Sequence, residues 1–484
     1  SIMSLSDPEI FKFPVAYMCE PGFWSLASDN EAKAMRDYLE KGGFMIFDPN
    51  DAANLAMYVG SNTVAQMYHH DEDAWINVQS PALAGTFGAG ACGTCYRWSN
   101  TVTANGGSTT TATTTATITG LCIGRTVRFL TGANAGVEAT ITGAIIVPGG
   151  TSTIQFAALG SAVANADTFI VDTGLFLVLG AGTLAAGSFR SYDPLTATWT
   201  SLTITGLPAT WGTDGAMTCT SGVSVFASGT ATAGAATTLT NNTKTWATNQ
   251  WTNYQVRITE GLGKGQVRTI SSNTGTVLTV PAWTTNPDAT SQYVIEANQD
   301  FAYLVGNNAV TMYRYSRSAN TWTTMAPTTA RSAAPSTGSS LNWVGKTGDA
   351  NWANESDIKD GRYLFSVRGG ASALIDRFDI AGGTAGAGAW LALSYPGATE
   401  TFTTGSSAGW SGRYLYVRKD ATNRFFKFSV RGNYMEPLSS NLYADGAAVL
   451  GKKIWVKDYD GTDTLKWVYA LRNSGTELHR LPLF

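Results

Sequence analysis

Hydrophobic positions follow two different rhythms along the chain. Near the start, Phe13-Pro-Val-Ala-Tyr-Met-Cys-Glu20 reads as a strand. Ser28-Asp-Asn-Glu31 then forms a capping box, in which the Ser side chain and the Glu three residues on satisfy the first free N–H groups of a helix. Over residues 32–41 the apolar Ala34, Met35, Tyr38 and Leu39 fall on one helical face. Gly42-Gly43 ends that helix, and Phe44-Met-Ile-Phe-Asp48 is a second strand. Residues 1–50 are therefore expected to form a short βαβ segment, or to serve as an attachment arm.

Beyond residue 55 the rhythm becomes that of short strands. One phrase recurs: an apolar strand, a Gly turn, an alternating aromatic strand, a polar turn, then an aromatic. Its copies begin at Leu55, Leu175, Ala302, Arg362, Arg413 and Lys453. The later copies lie about 40 to 50 residues apart, the interval of a repeated four-stranded unit. The early spacing is longer, with about 124 residues separating Trp75, Trp199 and Trp322.

Two similar insertions account for that excess. Val127-Arg128 falls on Val256-Arg257, Gly132 on Gly261, Gly136 on Gly265, and Thr140-Ile141 on Thr269-Ile270. Further on, Thr153-Ile-Gln-Phe156 matches Val277-Leu-Thr-Val280, and Thr168-Phe-Ile-Val171 matches Gln292-Tyr-Val-Ile295. Both insertions stop just before an apolar strand, so they are expected to enter equivalent hairpins as two small β-barrel or sandwich modules, 101–173 and 227–298. The remaining segments 51–100, 174–226 and 299–484 carry the recurring phrase.

Ser191-Tyr-Asp-Pro-Leu-Thr-Ala-Thr-Trp199 and Tyr315-Ser-Arg-Ser-Ala-Asn-Thr-Trp322 resemble the kelch repeat. The resemblance implies a divergent β-propeller of about six blades, because the paired Gly of strong kelch repeats stands in register only at Gly369-Gly370. Radial stacking would bury the two faces that a lone four-stranded sheet leaves open. The second insertion, through "TWATNQWTNYQVRITEGLGKGQVRTI", resembles a β module of tailed-bacteriophage structural proteins. Separately, "DPEIFKFPVAYMCEPGFWSLASDNEAKAMRDYLEKGGFMIFD" resembles the opening of a bacterial domain family of unknown function with a glutamine-amidotransferase-like α/β core.

Composition narrows the picture. Charged residues make up only 14% of the 484 residues, hydrophobic ones 44%, with 52 Gly. Such a chain has core material but not the Glu/Lys/Leu rows of a coiled coil. With 32 basic and 35 acidic residues it lacks a nucleic-acid footprint. Apolar runs such as Leu175–Leu179 are strand-sized, so neither a spanning helix nor membrane insertion is expected. Ser1-Ile-Met-Ser-Leu5 carries no basic or apolar leader character, which points to synthesis in the cytoplasm, and the five Cys are too scattered for a disulfide framework.

Candidate chemistry is sparse. His69-His70 beside Asp71-Glu-Asp73 has the look of a metal site but falls in a polar turn of the phrase. Cys92-Gly-Thr-Cys95 has redox or zinc spacing without two further ligands nearby. Asp193, Asp376, Asp379, Asp458, Asp460 and Asp463 are turn carboxylates, and a glycosidase would need two of them across a cleft. Asp458 and Asp460 alternate like a calcium loop that lacks its closing Glu. Gly261-Leu-Gly-Lys-Gly265 lacks the phosphate-loop spacing and reads as a turn, and His479 has no nucleophile elbow to serve. No catalytic residue, metal ligand or cofactor is expected. Trp246, Trp251, Tyr254 and Trp283 cluster in the second insertion, where they either seal a small core or present a binding surface.

The sequence thus reads as an all-β, non-enzymatic structural component of a tailed-phage virion, in the tail, collar or fibre region. Other virion proteins and copies of itself are the expected partners, with host-surface glycan as a further one. The alternatives are a capsid-exterior decoration protein, and a propeller enzyme or lectin acting on glycans.

Overall fold

The computed structural model describes residues 91–220, 225–345, 361–396, 400–403, 406–410, 414–419 and 424–438, together with separate strands and single residues nearer the two ends. The fold is all-β, a series of small antiparallel sheets, and no α-helix occurs among the described residues. Val15–Cys19 and Phe44–Asp48 pair in parallel. The helix expected over 32–41 lies outside the described residues.

Six of these sheets follow one another along the chain. Sheet I holds Leu55–Val59, Ala65–His69 and Ala74–Asn77. Sheet II runs from Cys92–Tyr96 through Leu175–Leu179 and Phe189–Asp193 to Thr198–Ser201. Sheet III repeats that order with Ala216–Cys219, Phe301–Gly306, Ala309–Ser316 and Thr321–Thr324. Sheet IV comprises Ser340–Val344, Tyr363–Val367, Ile375–Asp379 and Ala389–Ala392. Sheet V comprises Ser407–Trp410, Tyr414–Arg418, Phe425–Ser429 and Tyr434–Leu438. Sheet VI has Ile454–Lys457, Lys466–Leu471 and Leu478–Leu483.

In sheets II to V the second strands are largely apolar on both faces because both faces are covered. In Leu175–Leu179 every residue is buried. Side chains alternate across a strand, so Leu175, Leu177 and Leu179 join a core with Met217, Ala302 and Leu304 of sheet III, while Phe176 and Val178 join Ala65 and Met67 of sheet I. Sheets III and IV share Tyr303, Val305, Leu341 and Leu364, and sheets IV and V share Phe365, Val367, Leu415 and Val417. Each Leu, Val, Met and Phe among these contributes about 1.5–3 kcal/mol by leaving water. First strands also touch in succession: Cys92–Tyr96 beside Ala216–Cys219, that beside Ser340–Val344, then Ser407–Trp410. A repeated hydrogen bond ties them. The Thr94 hydroxyl accepts from Cys219 N at 3.0 Å, and the Thr218 hydroxyl accepts from Trp343 N at 3.1 Å.

Between the first and second strands of sheet II the chain leaves to build a six-stranded sheet, here module 1. Its order is Val102–Asn105, Asn165–Val171, Thr126–Phe129, Glu138–Ile145, Ser152–Phe156, Thr111–Thr114. A bridge between Gly107 and Ala112 brings its two outer strands together. Between the same two strands of sheet III it leaves again for module 2, which has two sheets. One contains Val225–Thr230, Gln292–Glu296, Gln255–Glu260 and Val267–Thr269; the other contains Ala233–Ala235, Thr238–Thr240, Val277–Thr279 and Ser272–Asn273. Glu138–Ile145 runs through a register shift after Ile141 as one strand, and at the equivalent Ile270 the strand of module 2 breaks in two.

Candidate functional site

Of the carboxylates singled out by sequence, the three that are described, Asp193, Asp376 and Asp379, are each engaged structurally. Asp193 is fully buried and accepts from Asn100 N at 2.8 Å and Leu195 N at 2.9 Å, which shapes its turn. Burial pushes its carboxyl up, against the pull of those N–H groups. Asp376 is held by Arg331 and Arg368, and Asp379 takes a two-pronged pair from Arg362 at 2.7 and 2.9 Å. Asp458, Asp460, Asp463, His70 and the side chains of His69 and His479 lie outside what is described. Cys92 and Cys95 stand three apart on one strand, so their thiols point to opposite faces. Burial and the neighbouring Cys219 push Cys95 up to about 12. Among the described residues no group of three or more His, Cys, Asp or Glu could hold a metal ion.

The aromatics of module 2 prove to be interior. Trp251, Tyr254 and Trp283 are buried and Trp246 is half-buried against the same core, with Trp251 edge-on to Trp246 at 6.5 Å and to Tyr254 at 5.3 Å. The binding-surface reading of these four is corrected accordingly. They fill the interior together with Leu239, Val256, Ile258, Ile270, Leu278 and Ile295.

Sequence reasoning missed the seam between the two modules. The repeated Val-Arg pair was the visible signal, and the two arginines meet across it. Arg128, on Thr126–Phe129, donates to Glu138 through Nε at 2.6 Å and approaches Glu296 of module 2 at 3.5 Å. Arg257, on Gln255–Glu260, donates to Glu296 at 2.6 and 3.2 Å and approaches Glu138 at 3.5 Å. Two guanidiniums and two carboxylates thus close a ring, with Gln255 adding a longer contact to Glu296 at 3.4 Å. Only Glu138 keeps substantial exposure, 33% of its side chain. Burial raises Glu296, but the hydrogen bond from Arg257 and the charge of Arg128 outweigh it and hold the carboxyl below its usual value.

The backbone meets as symmetrically as the charges. A Cβ on Gly136 would stand 3.3 Å from Gly265 N, and one on Gly265 would stand 2.8 Å from Ala135 Cβ. Equivalent residues facing each other is the signature of a two-fold contact, here built within one chain. Both modules also dock onto polar turns beneath them. Thr119 N and its hydroxyl bond Leu195 O and Pro194 O of sheet II, and Asn253 Nδ2 bonds Ile380 O at 2.5 Å and Gly386 O at 3.0 Å of sheet IV. Arg317, on the turn of sheet III, reaches Trp98 O and Ser99 O at the root of module 1.

Below the seam lies a cavity of about 450 Å³ whose walls include Trp98, Arg128, Gln255, Arg257, Gln299 and Arg317. Its cations are already matched within the protein. Arg97 and Arg128 both lie over the Trp98 ring, at 4.5 and 4.3 Å, and Arg317 is spent on backbone carbonyls. Asp300, Ser99, Ser191 and Ser318 also line the cavity, and Asp300 accepts from the Ser316 hydroxyl and from Ser318 N, both at 2.6 Å.

Residues 1–70 match a domain family described as Domain of unknown function (DUF4159), a match that runs past residue 50 across the first two strands of sheet I. No curated protein matches the chain. Among solved structures, a protein of unknown function from Bacteroides thetaiotaomicron VPI-5482 shares 10% identity over 74% of this chain, which covers 64% of its length, at a TM-score of 0.23. AztD from Citrobacter koseri shares 10% identity over 88% of this chain and 92% of its own, at a TM-score of 0.29. Dihydro-heme d1 dehydrogenase NirN shares 10% identity over 90% of this chain and 74% of its own, at a TM-score of 0.28. Likenesses this low carry no argument about what the chain does.

Proposed function

We propose that the chain is a non-enzymatic structural component of a larger assembly, built on a kelch-like β-propeller of about six blades. Sheets I to VI are the blades, and their successive first strands line the axis of the ring. The observation that carries this reading is the matched pair of modules, inserted at the same point of adjacent sheets and clamped to each other through Arg128, Arg257, Glu138 and Glu296. Propeller geometry protects sheet edges and makes a stiff platform. The clamp turns two small modules into one projecting body. The carboxylates and guanidiniums of the clamp, matched to one another, suit rigidity better than turnover.

The resemblance of module 2 to tailed-phage structural proteins suggests the setting: a virion, in the tail, collar or fibre region, with neighbouring subunits or host-surface glycan as partners. Weak contacts would add up there through many copies. The test is protein identification and cryo-electron microscopy on tailed-phage particles that encode the chain. The expected result is the chain at repeated external positions; its absence from the particle overturns the virion reading. Glycan cleavage by the purified chain, lost on substituting Asp379, Asp458 and Asp460, would overturn the non-enzymatic reading.

A further inference from the structure

Sheet IV contains a charge cluster that does not balance. Arg331 and Asp376 are paired at 2.7 Å with each side chain 1% exposed, and Arg368 grips the same carboxylate at 2.6 and 3.2 Å. Two guanidiniums therefore share one carboxylate. Among the described residues neither meets another, and the nearby Asp379 is committed to Arg362. Burial and the charge of Arg368 hold Arg331 below its ordinary value although Asp376 pulls the other way.

The surplus charge coincides with unmet hydrogen bonds. Arg331 spends Nε on Asp376 and Nη2 on the Ser366 hydroxyl at 2.8 Å, but its Nη1 is buried without a partner. Its guanidinium lies over the ring of Trp390 at 4.9 Å, and the Trp390 Nε1–H is likewise buried and unpartnered. A buried donor without a partner costs about 1–3 kcal/mol, and an unmatched buried charge costs more. Water would meet the hydrogen bonds without meeting the charge. A small anion meets both.

We propose that Arg331 Nη1 and Trp390 Nε1 form a buried binding site for a small monovalent anion, chloride being the obvious occupant. The ion neutralises the second guanidinium of the Arg331–Asp376–Arg368 cluster and stiffens sheet IV against the loop carrying Arg331. This site is independent of the assembly role, since it rests on sheet IV alone.

Crystals of the full chain soaked in sodium bromide, with diffraction measured at the bromine edge, test it directly. An anomalous peak within hydrogen-bonding distance of both nitrogens is expected; ordinary water there, or bromide only elsewhere, overturns the site. In solution the melting temperature should rise with chloride over gluconate at matched ionic strength. Trp390→Phe, which removes one donor and keeps the ring, should then need on the order of tenfold more chloride for the same rise. Equal melting in the two salts overturns the proposal, and the bromide measurement decides it should the variant fail to fold.

Discussion

Modules 1 and 2 share strand order and matching residues, yet their interiors end in different places. The core of module 1 is largely its own: Val127, Phe129, Ile141, Ile154 and Phe169, with Leu195, on a turn of sheet II, the one buried residue among those described that a main sheet contributes. The core of module 2 runs without a break into sheets III and IV, from Trp251, Val256 and Tyr293 to Tyr303, Leu341, Leu364 and Phe378. One pattern of strands has thus produced a nearly self-contained barrel and a wedge. Both interiors mix aliphatic and aromatic side chains; module 2 adds Trp246, Trp251 and Trp283, and Asn253 ties it to sheet IV by reaching Ile380 O and Gly386 O.

Five substitutions probe that contrast in decreasing order of effect. Glu296→Gln leaves two buried guanidiniums short of a counter-charge and should cost about 3–5 kcal/mol in urea unfolding. The wild-type carboxyl sits below its unfolded value of about 4.3, so its stabilisation is complete above that pH and is lost as pH falls through the lower folded value. Unfolding midpoints between pH 7 and pH 3 should show this loss, and the variant should lack it. Next, Ile154→Ala and Leu278→Ala remove equivalent buried side chains at about 2–5 kcal/mol each. Amide hydrogen exchange should speed up within module 1 for the first, and across sheets III and IV as well for the second. Equal spread would dissolve the distinction between barrel and wedge.

Gly265→Ala places a methyl against Ala135 at a φ of +86°, and should cost about 1–3 kcal/mol while raising exchange on both sides of the seam. The mildest change is Glu138→Gln. Its carboxylate keeps a third of its exposure, so screening limits the loss to about 1 kcal/mol. A loss as large as that of Glu296 would show that the two halves of the ring carry equal weight.

Much of the strand layout was legible before any coordinates. The recurring phrase coincides with three strands of each main sheet, because apolar alternation and Gly or Asn turns are imposed by local backbone geometry. The strand that precedes the phrase in sheets II to V was not legible. Cys92-Gly-Thr-Cys-Tyr96 and Ala216-Met-Thr-Cys219 are short and made of small or polar residues, and they become strands because neighbouring sheets press against them. The module aromatics were legible as a cluster, with core sealing and a binding surface both open, and burial decides for the core. The charge ring was half-visible, since alignment showed Arg128 and Arg257 to be equivalents but not that they touch.

Period, turn chemistry and internal duplication were carried by the order of residues alone: an all-β chain with two look-alike insertions at matching points. Which charges would find each other was not. Arg128 and Glu296 are 168 residues apart, and Arg331 and Asp376 are 45 apart. Alternation within a strand is a property of a few consecutive bonds, whereas such pairs exist only once packing has expelled water and left each buried charge to the neighbours that the fold happens to supply.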